Sequence, residues 1–108
     1  MSPRNALQQS APIFAALGDE TRLRVVSRLS AGGPMSIAQL TEGTDVTRQA
    51  VTKHLEVLAG AGLVHDFRQG RERVWELRTR RLEEARRALD LISQRWDEAL
   101  ERLRALVE

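Results

Sequence analysis

"TRQAVTKHLEVL", residues 47–58, is the stretch that decides the fold. Thr47 stands where a helix N-cap is wanted, because its hydroxyl oxygen can accept a backbone N–H that the first helical turn leaves unpaired. At about 100° per residue, with Arg48 set to zero, Leu58, Val51 and Leu55 fall at roughly 280°, 300° and 340°. Thr52, Glu56, Gln49 and Lys53 fall on the opposite side, at roughly 40°, 80°, 100° and 140°. His54, at about 240°, lies beside the apolar stripe. The pattern predicts a helix with one face for a core and the other for polar contacts, running to about Ala61 and stopped by Gly60 or Gly62.

Upstream, Gly43-Thr44-Asp45-Val46 reads as a turn. Before it, Ser36 with Gln39 three residues on is a capping-box pair for a short helix anchored by Ile37 and Leu40. Gly32, Gly33 and Pro34 break the chain. Asp19 is an N-cap for DETRLRVVSRLS, with Leu23, Val26 and Leu29 expected on one face. Residues 5–17 are expected to form a first helix in which Pro12 is a weak point or a restart. Downstream, LVHDFR and RVWELR flank Gln69-Gly70-Arg71-Glu72 as a short hairpin with a basic tip. Thr79 is expected to cap a long last helix. Two helices joined by a tight turn and followed by a hairpin describe a winged helix-turn-helix, a mainly α fold with an α+β wing. The expected order is four helices, two strands and a fifth helix. All of residues 1–108 are expected to form one domain, with a central core over about 19–78 flanked by helices over about 5–17 and 79–107.

Charge is distributed unevenly. The net charge is only +2. The pI near 10.3 reflects a chain with one Lys, no Tyr and no Cys, in which almost nothing titrates just above neutrality. Residues 67–81 carry Arg68, Arg71, Arg73, Arg78, Arg80 and Arg81 against Glu72 and Glu76. A local positive patch of this kind attracts a polyanion. The absence of cysteine excludes disulfides and thiolate metal sites. No apolar run approaches the ~18 residues of a membrane span and no signal-peptide pattern opens the chain, so a cytoplasmic location is expected.

The combination LGDETRLRVVSRL (17–29), SIAQLTEGTDVTRQAVTKHLEVLAGAGLV (36–64) and GRERVWEL (70–77) resembles the ArsR/SmtB family of bacterial winged-helix repressors over nearly the whole chain. The resemblance implies a dimer that binds palindromic operator DNA and represses transcription until a signal releases it. It makes residues 47–61 the recognition helix of a DNA-reading core over about 19–78, with dimerisation helices over about 5–17 and 79–107. It puts Thr47, Arg48, Gln49, Thr52, Lys53 and His54 where that family contacts DNA, and Arg71 and Arg73 in a wing lying in or beside the minor groove. Arg68 belongs to the same basic hairpin. Gln49 is either ordinary helix surface or a base contact, and its outward position favours the base. Lys53 fits a phosphate better than a base edge. Glu56 is expected to pair with Lys53, or else to accept from a cytosine amino group. His54 fits a backbone or phosphate contact or a packed helix histidine, and His65, beside Phe67, a half-buried structural residue.

The last helix carries a separate signal. Leu82, Ala85, Leu89, Ile92, Trp96, Ala99, Leu103 and Leu106 recur at alternating spacings of three and four, an a/d seam. Part of the seam can lie on the chain's own domain. A helix of about 28 residues is roughly 42 Å long and overhangs a domain this small. Burying six large seam residues contributes on the order of 10 kcal/mol per chain before ordering costs. A homodimer joined through Leu82, Leu89, Ile92, Trp96, Leu103 and Leu106 is expected, with help from the first helix.

Many ArsR/SmtB members sense metal through cysteines in the third helix or through His and acidic residues on the last. Here the third helix reads SIAQLTEG, and the last has Asp90, Asp97 and Glu98 but no His. The ending ISQRWDEALERLRALVE resembles a metal-independent branch whose members often regulate neighbouring genes, including genes for START-like proteins. No metal and no cofactor are expected. An enzyme is disfavoured, since neither a nucleophile–base pair nor a Gly-rich phosphate loop is legible. A winged-helix protein-interaction module is the rival reading, against which the wing charge argues.

Overall fold

The computed structural model describes the backbone of residues 3–108 and the side chains of residues 6–108, so the start of the expected domain, residues 1 and 2, lies outside it. Five helices and three short strands follow in order: α1 (Pro3–Leu17), α2 (Glu20–Gly32), β1 (Met35–Ser36), α3 (Ile37–Thr41), α4 (Arg48–Gly60), β2 (Val64–Gln69), β3 (Glu72–Leu77) and α5 (Thr79–Val107). The fold is the expected winged helix-turn-helix with one strand added. Met35 and Ser36 pair antiparallel with Trp75 and Val74, giving a sheet of order β1-β3-β2.

The caps place the helices. Asp19 accepts from the backbone N–H of Arg22 at 3.0 Å and starts α2. Ser36 and Gln39 form the full capping box: Ser36 Oγ accepts from the Gln39 N–H at 3.2 Å, and Gln39 Oε1 accepts from the Ser36 N–H at 2.9 Å. Thr47 Oγ1 accepts from the Ala50 N–H at 3.1 Å and starts α4. Gly62 turns the chain out of α4 at φ +77, a conformation that favours glycine, and a Cβ there would lie 3.1 Å from Arg81 Cγ. The two-residue turn Gly70-Arg71 has positive φ at glycine alone, the type II′ pattern suited to a tight hairpin.

Val51, Leu55 and Leu58 of α4 meet Val25 and Leu29 of α2, Leu40 of α3, Leu63, Val64 and Trp75 of the wing, and Ile13 and Ala16 of α1 in one core. Three expectations are corrected. In α2 the inward residues are Val25 and Leu29, with Val26 half-buried, whereas Leu23 is 52% exposed. Arg78, not Thr79, occupies the N-cap of α5 and makes no side-chain capping bond; its backbone N–H instead donates to Leu63 O at 2.8 Å. And α1 runs through Pro12 without a restart. Pro12 cannot donate to the carbonyl four residues back, but packing on both sides of it holds the helix, since Ser10, Ile13 and Ala16 are all buried.

α1 also packs along the start of α5, where Ala85 and Ala88 are buried and small enough for close approach. Leu82, expected in the dimer seam, packs against the chain's own core. Beyond Leu91 the helix has no buried residue. At ~1.5 Å per residue, α5 is about 43 Å long, against a longest molecular dimension of 61 Å. The radius of gyration is 17.4 Å, where a compact chain of this length has about 13 Å. The projecting half of α5 accounts for the difference.

Candidate nucleic-acid interface

The sequence places a polar face on α4, and the fold turns that face outward. Leu55 and Leu58 are 0% exposed, which turns the apolar stripe inward, and Arg48, Gln49, Lys53 and Glu56 are exposed on the other side. The Thr47 cap uses the Ala50 N–H. It leaves the N–H groups of Arg48 and Gln49 at the helix start with no hydrogen-bond partner among the described residues, an arrangement that suits a phosphate oxygen.

Thr52 and His54 are less free than their positions in the sequence imply. Thr52 Oγ1 donates to Arg48 O at 2.8 Å. Its hydroxyl proton is committed within the helix, and its methyl and lone pairs are what remain for DNA. His54 is turned from the outer face, with Nδ1 3.2 Å from Arg22 Nη1 and 3.8 Å from Asp19 Oδ2. Lys53 and Glu56 form no ion pair among the described residues, contrary to the expected pairing.

The six arginines of residues 67–81 fall into two groups. Arg73 is engaged twice: Nε donates to Asp66 Oδ2 at 2.5 Å, and Cζ stands 4.6 Å over the Trp75 ring. That bond from Arg73 holds the Asp66 carboxyl below the usual carboxylate range. The register explains the contacts, because Asp66 faces Trp75 and Arg68 faces Arg73 across the hairpin, so all four share one side of the pleat. Arg81 donates to Ala61 O at 3.2 Å and to Glu84 Oε2 at 2.7 Å. Arg68, Arg71, Arg78 and Arg80 are exposed and have no ion-pair partner among the described residues. Arg73 is thus drawn into the wing's own contacts, while Arg68 and Arg71 carry the tip's free charge. On the opposite side of the hairpin, His65 Nε2 lies 2.7 Å from Glu76 Oε1, half-exposed and 6.2 Å from the Phe67 ring centroid, in the structural role expected of it.

A helix with an outward polar face and free N–H groups, beside a hairpin with unpaired guanidinium groups, is the equipment of a duplex-reading module. Comparison with known proteins agrees. The helix-turn-helix domain family matches residues 17–66. The HTH-type transcriptional regulator Rv2034 of Mycobacterium tuberculosis is 40% identical over 87 residues, which are 81% of this chain and 78% of that protein. An ArsR-like transcriptional regulator from Rhodococcus sp. RHA1 superposes with a TM-score of 0.73 at 33% identity, over 96% of this chain and 97% of that one. The chain belongs to the ArsR family of winged helix-turn-helix transcriptional regulators. The homodimeric winged helix-turn-helix DNA-binding domain of Mb0332 from Mycobacterium bovis has a TM-score of 0.63 at 26% identity, over 94% of this chain and 93% of that one.

Within this ArsR-family fold no described helix is long and apolar enough to cross a membrane. Among the described residues there is also no group of three or more His, Cys, Asp or Glu side chains suited to hold a metal ion. Sequence reading missed Arg22, which touches α1, α2 and α4 at once. The only local signal was the Asp19 cap, which fixes where Arg22 begins but not that its side chain reaches His54, 32 residues away.

Proposed function

We propose that the protein is a homodimeric repressor that binds an inverted-repeat operator. The observation that carries this reading is the division of labour along α4. Its apolar stripe is sealed in the core, so Arg48, Gln49 and Lys53 are presented together to a major groove. Arg68 and Arg71 grip phosphates from the wing, and the N-terminus of α4 sets register on the backbone. Arg71 suits a narrow minor groove in A·T-rich flanks.

Dimerisation is supported by the uncovered half of α5. Leu89, Ile92, Trp96, Leu103 and Leu106 all stand exposed, a contiguous apolar surface that a second copy can cover. The Mycobacterium bovis relative is homodimeric, in agreement with this reading. A twofold pair places its recognition helices in successive major grooves about 34–36 Å apart. Release follows from any ligand or partner that binds better to a dimer with the wrong helix spacing. The residue types argue for release without a transition metal, since cysteine is absent and α5 has no histidine.

Selection of bound sites from random duplexes tests the whole reading. Recovery of an inverted repeat with half-sites about one helical turn apart is expected. Recovery of single half-sites, or of no common sequence, overturns it.

A further inference from the structure

The corner where α1 ends and α2 begins contains an arginine whose contacts exceed what a helix start requires. The backbone N–H of Arg22 donates to the Asp19 carboxylate in the cap. Its side chain then turns outward from α2 and forks. Nε donates to Ala16 O at 2.5 Å. Ala16 lies in the last turn of α1, so its carbonyl has no partner within its own helix. Nη1 reaches His54 Nδ1 at 3.2 Å. A guanidinium only donates, so in this contact Nδ1 acts as the acceptor. Asp19 Oδ2 is 3.8 Å from the same nitrogen, too long for a hydrogen bond. Asp19 thus fixes the base of Arg22, and the two arms of the fork join α1 to the recognition helix.

We propose that Arg22 is a positioning residue for DNA reading, locking the rotation of α4 against the α1–α2 corner through His54. This rests on the reading of α4 as the recognition helix. The geometry favours it over a role in folding alone. The core stripe holds α4 inward but is made of apolar contacts, which are non-directional. The Arg22–His54 bond is directional and charge-assisted, and it acts on the residue directly after Lys53. A rotation of α4 about its axis swings Gln49 and Lys53 across the base edges while leaving Leu55 and Leu58 in the core. The same fork ties the reading helix to α1, which packs on α5, so a movement of the assembly helices reaches α4 through one side chain.

The test uses the full-length protein and compares binding to a selected operator with binding to random duplex. His54→Leu removes the acceptor at similar volume. It is expected to keep the helical signal and the melting temperature within a few degrees, while the operator-to-random ratio falls about tenfold, the scale of one lost base contact. His54→Asn, whose Oδ1 lies close to the place of Nδ1, is expected to restore most of that ratio. In a double-mutant cycle, Arg22→Gln and His54→Leu together should lose no more than the larger single loss. Should Arg22→Gln lower the melting temperature, Arg22→Lys, which keeps stem and charge but not the fork, takes its place. An unchanged ratio in His54→Leu, or losses that add across the cycle as a direct His54–DNA contact requires, overturns the proposal. Gln49→Ala separates this from failure of the reading itself, because Gln49 takes no part in the network. If Gln49→Ala lowers the ratio and His54→Leu does not, only the positioning role is wrong. If Gln49→Ala leaves the ratio unchanged, α4 is not the reader and both ideas fall.

Discussion

Two amphipathic helices of this ArsR-family protein, α4 and α5, carry the same kind of apolar stripe and meet opposite ends. In α4, Val51, Leu55 and Leu58 are covered completely by α1, α2, α3 and the wing. In the distal half of α5, Trp96 is 65% exposed and Leu103 59%. Periodicity says that a face needs cover; it does not say which surface supplies it. Length and position decide that. α4 is enclosed by neighbours on both sides in the sequence, whereas α5 runs on past the end of its own domain. The reading region is complete within one chain, and the distal helix is complete only in an assembly.

The difference can be broken most sharply at α5. Leu89→Glu with Leu103→Glu is expected to give monomers by sedimentation and to lower operator affinity by on the order of 10²–10⁴, the contribution of linking two half-site contacts. A retained dimer would place the interface elsewhere. Next comes a matched pair of truncations. Leu55→Ala should cost about 2–5 kcal/mol, with a loss in melting temperature that does not depend on protein concentration. Leu103→Ala should show a loss that grows on dilution, because association contributes to its stability. Equal concentration dependence in the two variants would erase the distinction.

Smaller effects sharpen the reading side. Arg68→Ala with Arg71→Ala should flatten the salt dependence of DNA binding by about two per chain, near 0.9 per lost phosphate contact, without altering sedimentation. Arg73→Ala, which removes a brace, should leave that slope nearly unchanged; a full unit of flattening would return Arg73 to the interface. Gln49→Ala should weaken operator binding about tenfold and random-duplex binding hardly at all. The smallest effect is on acid stability. Asp66 is held below its ordinary value by the Arg73 bond, and Asp19 by the backbone N–H of Arg22. Both folded pKa values are depressed, so the fold favours the charged form. That contribution is present above the unfolded value of 3.8 and is lost as pH falls through the folded values. Melting curves below pH 4 should therefore separate least from those at pH 6 in Asp66→Asn; an acid loss as large as in the parent would remove the Arg73–Asp66 pair as its source.

Much of this architecture was legible in one dimension because it rests on local chemistry. Ser36–Gln39 and Thr47–Ala50 are capping contacts three residues apart, and Val51, Leu55 and Leu58 follow helical spacing. β1 was not legible, since two residues carry no alternation and are defined only by pairing with Trp75 and Val74. Leu23 and Val25 exchanged roles because the rotation of α2 is set by what packs on it. The candidate site divides in the same way. Exposure of Gln49 and Lys53 followed from the helix angle. The engagement of Arg73 by Asp66, of Thr52 by Arg48 and of His54 by Arg22 depended on side-chain directions that a spacing pattern does not contain.

The two-residue strand β1 has an effect out of proportion to its size. It stitches the inner strand of the hairpin to the very residue that caps α3, so the wing is sewn into the helix-turn-helix frame rather than hung from it by a loop. The groove reader and the backbone grip consequently arrive at a duplex as one rigid tool. The spacing of wing from frame within a half-site is cast in the fold, and what is left for evolution, or for a signal, to adjust is the turn of α4 about its own axis and the separation of one tool from its twin.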